Sequence, residues 1–98
     1  MESSNRVLAM LRAAIAGYED GPDSLEALRD AFSHATSLLE GDVPRHMHVE
    51  IARALGELND MLYTTEGIEQ MKGALLVTGR VKEALDRFES VQHGSHNG

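Results

Sequence analysis

Apolar residues recur at three- and four-residue steps along most of this chain, with polar residues between them. The clearest run is PRHMHVEIARALGELNDMLY, Pro44 to Tyr63. Met47, Ile51, Ala54, Leu58 and Met61 keep that step, and Leu55 and Leu62 widen the stripe. Glu50, Arg53, Glu57 and Asp60 take the other side. This is the period of an amphipathic helix of about five turns. Pro44 suits its start, where a missing N–H costs nothing. So broad an apolar face must be covered by other helices, and the flanking segments supply them.

Ahead of it, Val7, Leu8, Leu11, Ile15 and Tyr18 make the stripe of a first helix, capped at Ser3 or Ser4 and running to about Ala16. Gly17 and Gly21-Pro22 are its stop signals. Asp23, with Glu26 three residues on, opens a second helix in a capping-box arrangement. Leu25, Leu28, Phe32, Ala35 and Leu39 form its near-heptad seam, widened by Leu38, and Gly41 closes it. Short links force antiparallel neighbours, so these helices pack up-down-up.

After Tyr63, Gly67, Gly73 and Gly79 interrupt TEGIEQMKGALLVTGR. Each costs about 1 kcal/mol in a helix interior relative to Ala. The segment 66–76 therefore reads as a short or irregular helix or a packed loop. Thr78 would cap a last helix with Val81, Leu85, Phe88 and Val91 inward. The expected fold is all-α: a small antiparallel bundle of about four helices with an irregular segment before the last. Residues 1–92 form one domain and 93–98 a flexible tail. Only Leu75-Leu76-Val77 is strand-like, too short for a sheet.

The chain has 98 residues, which limits it to one modest core. Its net charge of −7 is unevenly spread. Residues 19–42 hold seven acids against Arg29 alone, a balance of −6, whereas 1–18 carry +1 and 43–98 carry −2. Such a patch repels nucleic acid and anionic lipid and attracts basic surfaces, although an acidic excess also serves solubility. With no cysteine, disulfides, thiolate metal sites and cysteine nucleophiles are excluded. No run approaches the ~18 apolar residues of a membrane span, and the start lacks a secretory pattern. The expected location is the cytoplasm.

Catalytic and metal chemistry find little support. His46 and His48 are two apart and point in different directions on a helix, and His46 with Glu50 lacks a third ligand. His93 and His96 fall in the tail, and His34 reads as a partly exposed polar residue. There is no phosphate loop or nucleophile motif, and the methionines read as core packing. No metal, cofactor or catalytic residue is expected, and the chain does not read as an enzyme. Arg80, Lys82 and Arg87 are interleaved with Glu83, Asp86 and Glu89, the patterning of a solvated face and not of a nucleic-acid site.

The candidate site is therefore a partner-binding surface. Glu19, Asp20 and Asp23 stand at the first helix junction, Glu26 and Asp30 follow along the second helix, and Glu40 and Asp42 lie at its far end. Carboxylates on a rigid helix pair with Lys and Arg of a partner and raise association rate and specificity. Tyr18 and Tyr63 are the candidate anchors, with ordinary helix-end packing as the competing account.

The succession VLAMLRAAIAG, SLEALRDAFSHATSLL, IARALGELNDMLY and VKEALDRFES, covering most of residues 7–90, resembles the small bacterial immunity proteins of the colicin D immunity-like class. The likeness lies in pattern and helix order. It implies a cytoplasmic bundle that binds a cognate toxin, often an RNA-cleaving nuclease, with acids standing in for substrate phosphates against a basic active site. No family residue transfers one for one, so the site residues above come from charge clustering. The alternative is a homo-oligomeric helical scaffold or adaptor, a homodimer using an exposed seam of the second helix. A third, weaker reading is a small regulator that mimics DNA.

Overall fold

The computed structural model describes residues 2–21 and 23–97, with side chains over 4–21 and 23–90. Four helices follow one another: α1 (Glu2–Asp20), α2 (Leu25–Leu38), α3 (Arg45–Thr64) and α4 (Gly67–Asn97). Each packs chiefly on the next in sequence, and α4 returns more lightly onto α1. The result is an up-down-up-down bundle with extents of 46 × 22 × 21 Å, and no strand occurs among the described residues.

The apolar stripes meet on the bundle axis. Leu11, Ile15, Leu28, Phe32, Met47, Ile51, Leu58, Val81 and Leu85 are fully buried. At roughly 1.5–3 kcal/mol for each large side chain, this burial holds the bundle and overrides weak local propensities. The α2 seam faces inward through Leu25, Leu28, Phe32 and Ala35, and Leu39 is partly buried against the core. Leu38 does not widen that stripe: it is 53% exposed.

Several boundaries differ from the sequence reading. α1 already begins at Glu2, so Ser4 lies within it, and its Oγ donates to Asp42 Oδ1 at 2.7 Å instead of capping. The side chain of Ser3 lies outside the described residues. Gly17 does not stop α1, which runs to Asp20; the Gly17 carbonyl then accepts the N–H groups of Gly21 and Asp23. Ser24, not Asp23, caps α2, its Oγ accepting the Ala27 N–H at 3.1 Å. Pro44 directly precedes α3, as its fixed φ suits.

The largest difference is α4. No irregular segment separates 66–76 from the last helix, and Thr78 caps nothing: one helix runs from Gly67 to Asn97. Burial of Ala74, Val77, Val81 and Leu85 outweighs the glycine penalty. Gly73 has a packing reason as well, since a Cβ there would stand 3.0 Å from Met61 Sδ across the α3–α4 contact. The chain enters α4 through extended Thr65 and Gly67 at φ 62°, a left-handed conformation that favours glycine. Gln70 fixes this turn by donating to the carbonyls of Met61 and Thr65. The backbone expected as a tail continues α4 to Asn97, while the Val91, His93 and His96 side chains lie outside the described residues.

Candidate partner-binding surface

Antiparallel packing gathers the C-termini of α1 and α3 and the N-termini of α2 and α4 at one end of the bundle, here the upper end. Tyr18, Glu19, Asp20, Asp23, Glu26 and Tyr63 all lie there, and Asp30 follows one turn below Glu26. Glu40 and Asp42 lie at the lower end. Fourteen residues of α2 at 1.5 Å each place them about 21 Å away. The nine candidate residues therefore do not share one face.

Their chemistry divides them further. Glu19 is engaged within the fold: Lys82 Nζ donates to Oε1 at 2.7 Å and Thr78 Oγ1 to Oε2 at 2.9 Å. Burial opposes its ionisation, but Lys82 and Thr78 outweigh that and hold its carboxyl below the usual range. Asp30 accepts from Arg29 Nε at 2.9 Å, and the same guanidinium reaches Asn59 at 2.8 Å. The Ser4 hydroxyl holds the Asp42 carboxyl below its usual range. Tyr18 packs partly against the core, and burial raises its phenol. Tyr63 is 82% exposed and shares a shallow depression with Glu26 and Arg29.

Asp20, Asp23 and Glu26 make no ion pair or side-chain hydrogen bond among the described residues. Neither do Asp60, Glu66 and Glu69, which the sequence reading did not count among its candidates. All six belong to the upper end. The position of Glu66 and Glu69 became visible only once α4 was known to start at Gly67; pairing helix ends by antiparallel order would have found them. Glu26 and Glu69 sit in first turns, where the helix dipole favours an acid. Asp20 closes α1, and Asp60 lies near the end of α3, where it disfavours one. Neither helix has a basic residue in its last turn.

Acids on the shaft are engaged instead. Arg12 spans α1 to α4, meeting Asp86 at 2.8 Å and Glu89 at 3.0 Å. Arg80 pairs with Glu57 on α3; its buried Nε makes no hydrogen bond, but forms an ion pair with Glu50 Oε1 at 3.7 Å.

Beside the acids, the first turns of α4 expose apolar surface. Ile68 is 67%, Met71 48% and Leu76 74% exposed, and Leu75 is also exposed. The sequence reading gave these residues no surface role. The α2 seam, by contrast, is buried, so the surface assigned to the homo-oligomeric alternative is not open.

Among the described residues no group of three His, Cys, Asp or Glu side chains is placed to hold a metal ion, and no helix is long and apolar enough to cross a membrane. No family model, curated protein or solved structure matches the chain.

Proposed function

We propose that this is a non-catalytic binding protein whose acidic upper end occupies a basic surface of a partner protein. The observation that carries this reading is the segregation, at one end, of six carboxylates without cation partners among the described residues, two of them against the dipoles of their own helices. The dipole accounts for Glu26 and Glu69 in their first turns, but Asp20 and Asp60 gain neither a favourable dipole nor a neighbouring Arg or Lys of the kind the shaft acids have. In its narrower form, the partner is a cognate toxin, a nuclease whose phosphate-binding cleft the acids fill, and the protein confers cytoplasmic immunity. That form draws on the resemblance to colicin D immunity-like proteins. Tyr63, exposed beside Glu26, is the candidate anchor.

The test compares the wild type with a D20N/D60N/E66Q/E69Q variant as immobilised bait in lysate of cells that express the protein, at low and moderate salt. The expected result is one basic protein, retained by the wild type only, released by salt, and losing nuclease activity when the purified wild type is added. Equal recovery of the same proteins on both baits would sink the acidic-end reading.

A further inference from the structure

α1 covers only part of the α4 face turned toward it. Their polar contacts run from Arg12 with Glu89 up to Glu19 with Lys82 and Thr78. Above Thr78, α4 continues for about three turns. Met71 and Leu75 precede Thr78 and Lys82 at steps of four, three and four, so they lie on the stripe that α1 covers lower down. At the upper end that stripe faces a depression of about 280 Å³, walled by Tyr18, Glu19 and Asp23 on one side and Met71 and Leu75 on the other. Gly21 and Gly67 line it without side chains. Gln70, also in the wall, is held by the Met61 and Thr65 carbonyls and does not fill the space.

We infer that this groove receives one apolar side chain of the partner, a leucine or an aromatic residue flanked by lysine or arginine. The inference rests on the reading of the acidic end as a docking surface, and it names what that surface grips. The groove falls just below the roughly 300–1,000 Å³ of small-molecule pockets, a scale suited to a single side chain. Charge selects the occupant. Asp23 lines the groove, Asp20 adjoins it in sequence, and Glu66 and Glu69 flank the start of α4. This surround favours a cation-bearing segment and disfavours a second copy, whose own upper end carries the same acids. An apolar anchor entering such a site excludes water from the neighbouring charge pairs, the arrangement in which few residues carry most of the affinity.

Two synthetic peptides test this, one with a leucine between two pairs of lysines and one with serine in its place. Each is titrated at low salt into protein carrying ¹³C-methyl methionine and ¹⁵N amides. The leucine peptide should bind about tenfold more tightly and shift the Met71 methyl. The preference should vanish in M71Q and in M71Q/L75Q, whose affinity for the serine peptide stays unchanged. Both changes fall on exposed positions, and the wild-type comparison stands without them. Equal affinities, with amide shifts at Asp20, Glu66 and Glu69 only, would overturn the groove and leave the acidic-end reading intact. Absence of shifts with either peptide would overturn both. A Met71 methyl that moves with protein concentration alone would assign the groove to a second copy and overturn the inference.

Discussion

The carboxylates of the shaft and those of the upper end differ in what surrounds them. Glu50, Glu57, Asp86 and Glu89 each face Arg80 or Arg12 on another helix, so they join neighbouring helices while lowering local charge. Asp20, Asp23, Glu26, Asp60, Glu66 and Glu69 converge from four helix ends and two links without a cation partner among the described residues. The same residue types thus do opposite things: the shaft spends its acids on cohesion, and the end leaves them in the solvent. The difference teaches that net charge alone says little here. What separates a structural acid from an exposed one is whether the fold brings a base to it.

The comparison can be broken in several places. The core beneath both regions should dominate stability: Phe32→Ala is expected to cost about 3–5 kcal/mol in urea unfolding, since Phe32 is fully buried between helices. Thr78→Val removes the hydroxyl that serves the Glu19 carboxylate; a loss of about 1–2 kcal/mol is expected. Arg80→Met removes the cation that Glu57 and Glu50 share, at a cost of about 1 kcal/mol, reduced by salt.

The upper end should respond with mixed sign. D20N and D60N should each stabilise by about 0.3–1 kcal/mol at low salt, while E26Q and E69Q should destabilise by a similar amount. Uniform destabilisation by all four would show that these acids hold the fold, and the contrast with the shaft would fail. Tyr63→Ala, at an exposed position, should change stability by less than about 0.5 kcal/mol while weakening partner binding.

Acid titration sharpens the same contrast. The folded-state pKa of Glu19 lies below its unfolded value, so its contribution is present above the unfolded pKa and is lost as pH falls through the folded one. Lys82→Met should flatten that part of the stability profile below about pH 4.5. If the wild type and K82M lose stability in parallel there, the Glu19–Lys82 pair does not contribute to stability.

Period and punctuation were enough to read four helical stripes, their antiparallel order and the core residues Leu28, Phe32, Ile51, Leu58, Val81 and Leu85 from the residues alone. Burial of apolar surface sets that pattern, and it is written locally at three- and four-residue spacing. What required the folded molecule was everything set by partners distant in sequence. Gly73 belongs to an unbroken helix because Ala74, Val77, Val81 and Leu85 around it are buried against the other helices, and Met61 of α3 lies close to where a Cβ at 73 would stand. Ser4 serves Asp42 and Thr78 serves Glu19, 38 and 59 residues away. Acids from residues 20–26 and 60–69 share one end only because three short links fold the helices back on each other. A carboxylate's charge is fixed by its own chemistry, but its neighbours are fixed by the path of the whole chain, and those neighbours made one group of acids structural and left the other exposed.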